Sequence, residues 1–217
     1  MALNRLIVRL CCLLALACTA PPASAEPSWR DFPGVSSSAF VEPNGDRAIQ
    51  LSIEVAAEPQ AAFDAFATTE GFRSWAVPVA QVDLRTGGMI EASYNAAARI
   101  GDRDNIRNQI LAYVPGRLLV IRNVQAPRDF VDPELFQHTV TIIEFVPAGP
   151  GRTRVTLTNS GYGGGPGFDR LYRQFEWGDA YTLANLRRRF EQGPVDWSRR
   201  ERPAAAAAAS EQVQGQH

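Results

Sequence analysis

Few side chains of this sequence could carry acid–base chemistry, and two of them stand out by position. Asp179 lies where the apolar stripe of a predicted long helix would otherwise continue. A carboxyl group that faces an apolar interior has a raised pKa, and it could then bind a ligand or transfer a proton. His138 is the only histidine before the last residue, and it opens a predicted strand. The structural alternatives are an exposed or salt-bridged Asp179 at a helix bend and an ordinary hydrogen bond from His138.

Several aromatic residues combine apolar bulk with a polar tip, which suits the lining of a wet cavity. Each of them could equally be a core residue. Together with the two groups above and two apolar positions of the long helix, they make up the predicted ligand-binding residues: Trp75, Tyr94, Tyr113, His138, Tyr172, Phe175, Asp179 and Leu183.

Three arginines, Arg107, Arg122 and Arg154, lie within predicted strands. An arginine that faces the interior could pair with the carboxylate of an acidic ligand. Because a slip of one residue in register reverses the face of a strand, the sequence leaves their direction open.

The glycine-rich stretch GYGGGPGFD, residues 161–169, precedes the long helix and resembles a phosphate-binding loop in composition only. A P-loop requires a lysine, and the chain contains none. Asp169 also places a carboxylate at the helix start, where it interacts favourably with the helix dipole and would repel an anion. We therefore expect a turn from the last strand into the helix.

The composition excludes several classes of function. The absence of lysine excludes Schiff-base chemistry, and the formal net charge of −1 disfavours nucleic-acid binding. All three cysteines lie within the first 18 residues. With so few histidines and no cysteine beyond Cys18, the sequence predicts no metal site and no cofactor.

Residues 1–25 have the pattern of a secretory signal peptide. Arg5 and Arg9 precede the apolar run from Leu10 to Ala17, and Ala23-Ser24-Ala25 forms a cleavage motif. Cleavage after Ala25 would export the protein to the periplasm or the medium. A lipoprotein anchored through Cys18 is the alternative, although Ala15 stands where a larger aliphatic residue is usual.

The elements that must position these residues follow from the hydrophobic periods. Residues 26–47 form an irregular lead-in, 48–197 a single folded domain, and 198–217 a disordered tail. Alternation over residues 49–55 predicts a strand, and two short helices from Pro59 to Trp75 follow it. About six further strands precede the long helix, which ends near Gly193. Hairpin-linked strands of this kind predict an α+β fold with an antiparallel sheet.

Five stretches in order resemble the START/Bet v-like (SRPBCC) superfamily, and in particular the branch homologous to the activator of heat-shock-protein-90 ATPase. The first is Pro59-x-x-x-Phe63-x-Ala65-Phe66-Ala67-Thr68 with Gly71-Phe72-x-x-Trp75. The others are Gly87-Gly88, the stretch 113–119, the stretch 139–145 with 151–161, and Trp177 with Leu183-x-x-Leu186. The resemblance covers about residues 48–192.

This resemblance implies a helix-grip fold, in which a curved antiparallel sheet of about six or seven strands wraps around the C-terminal helix and leaves an apolar cavity. It implies no universal catalytic set. The leading hypothesis is therefore an exported protein that binds a hydrophobic or amphipathic small molecule. The alternatives are a cyclase, dehydratase or hydrolase that uses Asp179, His138 or a tyrosine, and a protein-interaction module that docks through Arg187-Arg188-Arg189. The oligomeric state is left open.

Overall fold

The computed structural model describes residues 27–198 of the chain. The predicted signal peptide, with its cleavage site and Cys18, lies outside the described residues, as do residues 199–217 of the predicted tail.

The described chain contains nine strands and four α-helices, preceded by a 3₁₀ turn at Trp29–Asp31. The strands are β1 (Ser36–Ser37), β2 (Phe40–Val41), β3 (Arg47–Val55), β4 (Val79–Val82), β5 (Met89–Ser93), β6 (Ile106–Val114), β7 (Leu118–Gln125), β8 (Val140–Pro147) and β9 (Thr153–Tyr162). The helices are α1 (Pro59–Ala67), α2 (Thr69–Arg73), α3 (Pro133–Phe136) and α4 (Pro166–Gln192).

All nine strands belong to one antiparallel sheet. Its order is β1-β3-β9-β8-β7-β6-β5-β4, with β2 also paired to β3. The predicted α+β helix-grip fold is thereby confirmed, with α1 and α2 after the first long strand and α4 at the end. The prediction of six or seven strands was too low, because the segment expected to be irregular contributes the two-residue strands β1 and β2.

The lead-in also packs against the domain, which its composition did not predict. Val35 is buried in the main core, and the Phe32 ring contacts Trp177 of α4 at a centroid distance of 5.6 Å. A second difference is α3, four residues long, which follows the predicted loop 124–133.

Cross-strand register decides which residues face the interior. On β3, Ile49, Leu51, Ile53 and Val55 are buried, and Ile49 lies opposite Asn159 of β9. Asn159 in turn lies opposite Thr141 of β8. Direct neighbours across antiparallel strands share a face, so Asn159 and Thr141 belong to the inner face of the sheet.

Helix α4 begins at Pro166, directly after the glycine-rich turn, and runs for 27 residues. Proline is favoured at the first helical position because a backbone N–H at that position has no partner within the helix, so its absence costs nothing. Asp169 in the first turn forms a salt bridge of 2.8 Å with Arg47 of β3, which ties the start of the helix to the sheet. Along its length α4 packs on β3 and β9.

Candidate functional site

Three polar side chains lie buried where the middle of α4 meets β9, and each has at least one hydrogen-bonding atom without a partner. Asp179 is only 7% exposed, and Asn159 and Tyr162 are fully buried. The unpaired atoms are Oδ2 of Asp179, both side-chain atoms of Asn159, and Oη of Tyr162. We call these three residues the polar cluster. Buried polar atoms in proteins are nearly always paired, so an unpaired group of this size indicates a place for a ligand or water.

Two elements bring the polar cluster together. Asp179 lies on the same stripe of α4 as Phe175 and Leu183, one turn away in each direction. Asn159 continues the buried alternation of Val155 and Leu157 on β9. Tyr162 follows Gly161, whose φ of +91° lies in the left-handed region.

That backbone conformation moves Tyr162 toward the interior. Between Asn159 and Tyr162 the register with β3 also shifts, as in a β-bulge. A side chain at position 161 would meet the backbone oxygen of His138 at 3.0 Å, so glycine suits this position on two grounds.

Burial controls the electrostatics of the polar cluster. It raises the pKa of Asp179 to about 7, while the nearby Asn159 amide opposes the shift. The amide lies close enough to stabilise the ionised carboxylate, but it does not form a hydrogen bond with good geometry. Burial, followed by the Asp179 charge, also raises the pKa of the Tyr162 hydroxyl above its usual range. A carboxyl group that titrates near neutrality can change its charge when a ligand binds.

Aromatic rings surround the polar cluster on one side. The Tyr162 ring contacts Tyr172 edge-to-face at 5.2 Å and lies 6.4 Å from Phe175. Phe175 in turn contacts Phe136 of α3 at 4.7 Å, and Arg47 lies over the Tyr172 ring at 5.0 Å. The polar atoms are therefore set in apolar walls.

The inner face of the sheet is covered unevenly. Under α4, Ile49 and Leu51 are fully buried. On β6, β7 and β8, the inward-facing residues Asn108, Ile121 and Thr141 are only half-buried. Since α4 packs on β3 and β9, the accessible part of the inner face lies beside the helix.

Tyr94 projects toward this accessible part. It follows β5 and continues the face of Ala92, and it is 64% exposed. Burial, followed by the charges of Tyr181 and Asp179, nevertheless raises the pKa of its hydroxyl. The side chain is therefore accessible to solvent, while protein groups that include Asp179 and Tyr181 surround it at a longer distance. Tyr94 therefore faces the same region as Asp179.

Four of the predicted site residues come together here: Tyr94, Tyr172, Phe175 and Asp179. Of the others, Trp75 and Leu183 are buried core residues, and Tyr113 is half-buried against the core. Trp75 is 1% exposed, and its Nε1 donates to the Ala65 carbonyl at 2.9 Å, so its polar tip is already satisfied. Leu183 is fully buried, and Tyr113 packs on the core near the β6–β7 turn.

The structure places His138 differently from the prediction. Its side chain is exposed, and the strand that it was predicted to open begins two residues later, at Val140. The sequence reasoning also missed Asn159 and Tyr162. The alternation of Val155, Leu157 and Asn159 was a signal that could have identified Asn159.

The register also decides the direction of the strand arginines, and all three face outward. Arg154 pairs with Glu54 at 3.0 Å on the outer face. Arg107 lies opposite Glu91, 3.7 Å from its carboxylate, and Arg122 is exposed. The inner face therefore receives no positive charge from these three residues.

The arginine triplet on α4 is mostly engaged within the domain. Arg189 donates to Ser74 Oγ at 2.9 Å, and Arg187 lies 3.5 Å from Glu191. Arg188 donates to Asn185 at 3.3 Å. These contacts favour an intramolecular role over docking.

Within residues 27–198 no group of three metal-ligating side chains comes together. In the same part of the chain, no helix has both the length and the apolar character to cross a membrane.

The sequence pattern of the family described as polyketide cyclase/dehydrase and lipid transport matches residues 46–191. None of the curated proteins compared with the chain matches it.

Solved structures resemble the domain at low sequence identity. The Aha1 dimer from Colwellia psychrerythraea is 17% identical, with a TM-score of 0.51, over 67% of this chain and 97% of that one. The conserved protein of unknown function EF2215 from Enterococcus faecalis is 12% identical, with a TM-score of 0.54, over 84% and 92%. CalU16 from Micromonospora echinospora is 15% identical, with a TM-score of 0.50, over 83% and 94%. These likenesses show the fold, and the family match confirms the predicted superfamily. The finer assignment to the branch of the heat-shock-protein-90 ATPase activator stays a prediction.

Proposed function

The chain belongs to the polyketide cyclase/dehydrase and lipid transport family, and on that premise we propose that it is an exported protein that binds a hydrophobic or amphipathic small molecule. The ligand lies against the accessible inner face of β5–β8, beside α4. Its apolar part contacts the aromatic walls, and its polar part reaches the polar cluster.

The polar cluster carries this proposal. An unpaired buried donor or acceptor costs about 1–3 kcal/mol, and four such atoms lie together on Asp179, Asn159 and Tyr162. A polar group of a ligand would satisfy them. The neighbouring rings of Tyr172, Phe175 and Phe136 supply the apolar surface that ligand sites usually present.

Export rests on the sequence of residues 1–25, with Arg5 and Arg9 before the apolar run and Ala23-Ser24-Ala25 after it. We propose cleavage after Ala25, which leaves a chain without cysteine in the periplasm or the medium.

Titration with the uncharged fluorescent compound N-phenyl-1-naphthylamine tests the binding site. A matched pair of variants controls for position: Ile121→Trp fills the accessible inner face, and Arg122→Trp adds the same ring on the outer face of the same strand. We expect saturable binding that Ile121→Trp abolishes and Arg122→Trp preserves. Absence of saturable binding to the wild type, or equal effects of the two variants, would overturn the proposal.

A second candidate function is acid–base catalysis by Asp179, and the raised pKa of this residue, about 7, favours it. Native mass spectrometry of the exported protein would identify a co-purified ligand, which is then incubated with wild type and Asp179→Asn. Conversion by the wild type and not by the variant is expected of an enzyme. Recovery of the ligand unchanged from the wild type contradicts catalysis.

A further inference from the structure

The charges around the polar cluster are unbalanced. Asp179 is a buried acidic residue, and the causes that set its pKa, burial and the Asn159 amide, include no cation. The nearest arginine identified on the aromatic wall, Arg47, is already engaged. It forms a salt bridge with Asp169 at 2.8 Å and donates to the Gly163 carbonyl at 3.2 Å. The strand arginines face outward, as described above.

A buried carboxylate without a partner is costly, and it is stabilised either by a proton or by a cation that enters the site. The unpaired atoms include three oxygen acceptors, namely Asp179 Oδ2, Asn159 Oδ1 and Tyr162 Oη. A primary ammonium group has three N–H donors and no acceptor. The fourth unpaired atom, Asn159 Nδ2, is a donor that lies toward the Asp179 carboxyl group, so three acceptors remain for the three N–H donors of this head group.

The aromatic rings strengthen the match. The faces of aromatic rings attract cations, and this attraction increases where water is excluded. The Tyr162 ring lies 5.2 Å from the Tyr172 ring and 6.4 Å from the Phe175 ring, so aromatic rings border the polar cluster. An anionic head group, in contrast, would meet the Asp179 carboxylate and no free cation of the strands.

Resting on the proposed function, we propose that the ligand is an amphipathic amine, whose ammonium group is held by Asp179, Asn159 and Tyr162 and whose apolar chain lies on the inner face of β5–β8. Asp179 supplies the countercharge, and the two neutral residues supply the remaining acceptors.

The charged and titratable groups that face this region come from several elements. They are Tyr162 on β9, Tyr94 after β5, Tyr172, Glu176 and Tyr181 on α4, and Arg47 on β3. Glu191 is a carboxylate of the same helix that lies more than three turns beyond Asp179 and pairs with Arg187, so Glu191→Gln is a matched control for the loss of one negative charge.

Isothermal titration calorimetry with decylamine, decanol and decanoate tests the proposal at one pH, since these compounds share a chain and differ in the head group. Because charge-assisted hydrogen bonds are about twice as strong as neutral ones, we expect decylamine to bind at least about tenfold more tightly than decanol. Decanoate should bind most weakly. Asp179→Asn should remove the preference for decylamine, and Glu191→Gln should retain it.

The outcomes separate this proposal from the proposed function. If none of the three compounds binds and N-phenyl-1-naphthylamine does not bind either, the proposed function fails. If all three bind with similar affinity, or decanol or decanoate binds most tightly, the interior site stands and the amine proposal is overturned. It is equally overturned if Asp179→Asn, shown to be folded by circular dichroism, keeps the preference for decylamine.

Discussion

The two ends of the domain interior are filled differently. Beneath α1 and α2, the rings of Phe66, Trp75 and Phe145 interlock at centroid distances of 5.0 and 5.7 Å, and the one polar atom of Trp75 is paired. Beneath the middle of α4, Asp179 and Asn159 keep unpaired polar atoms beside half-buried strand residues. At both ends aromatic side chains pack against the same sheet, so the presence of aromatic side chains does not distinguish a core from a binding site.

The two ends differ in whether their buried polar atoms have hydrogen-bond partners. At the filled end the aromatic rings pack on one another and Trp75 Nε1 donates to a backbone carbonyl, so substitutions there should act on stability. At the polar end the protein keeps hydrogen-bonding capacity that it does not use itself. Substitutions there should act on binding and on the pH dependence of stability.

The largest effect is expected at the filled end. Trp75→Ala removes a fully buried ring and should lower the free energy of unfolding by about 3–5 kcal/mol. Trp75→Phe keeps most of the packing and should cost less, because it loses mainly the hydrogen bond to Ala65. Urea denaturation measures both. A loss below about 1 kcal/mol in Trp75→Ala would show that this end is not tightly packed.

The next effect concerns Asp179, whose pKa in the folded protein, about 7, lies above its ordinary value of 3.8. Between these two pH values the folded state binds the proton and the unfolded state does not. The free energy of unfolding therefore falls as the pH rises through this window, and it stays low above it. The shift corresponds to at most about 4 kcal/mol.

Asp179→Asn should remove this loss, so the stability difference between variant and wild type should grow from pH 4 to pH 7 in favour of the variant. Urea denaturation at several pH values measures the difference, which cancels the titration of unrelated groups. A difference that does not change with pH would contradict the burial of an unpaired carboxyl group.

A smaller and local effect is expected where α3 covers the aromatic wall of the polar end. Arg170 of α4 donates to both carboxylate oxygens of Asp132, and Phe136 rests on Phe175. The ion pair is partly exposed, so Arg170→Gln should weaken the attachment by roughly 0.2–1 kcal/mol. Hydrogen exchange should become faster at residues 133–139, while Arg85→Gln, which breaks the exposed pair with Asp83, should leave these amides unchanged. Equal exchange in all three proteins would show that the ion pair does not hold α3.

Much of the fold was predictable because its signals are local. Alternation along β3 and the apolar stripe of α4 identify elements whose buried faces repeat with a fixed period. The strands β1 and β2 lack such a period. They are two residues long and are held by backbone pairing to β3, which depends on chain segments distant in sequence.

The site was predictable in part for the same reason. Asp179 interrupts a stripe, and an interruption is visible in the sequence. Tyr162 is positioned by the positive φ of Gly161 and the shift of register beside it, and alternation alone places it on the wrong face. Trp75 was assigned to the ligand because its tip is polar, but the partner of that tip is a backbone carbonyl that only the structure identifies.

The smallest effect is expected on the outer face, where Glu54 contrasts with Asp179. Hydrogen bonds from Arg154 and then Arg152 hold the pKa of Glu54 below its ordinary value. A lowered pKa stabilises the folded state above the unfolded pKa, and this contribution is lost as the pH falls, which is the opposite direction to Asp179. Because the pairs are exposed, Glu54→Gln should change the melting temperature at pH 7 less than Trp75→Phe does, and it should leave decylamine binding unchanged. If Glu54→Gln instead weakened decylamine binding as much as Asp179→Asn, the contrast between the paired carboxylate of Glu54 and the unpaired Asp179 Oδ2 would no longer locate the proposed ligand site.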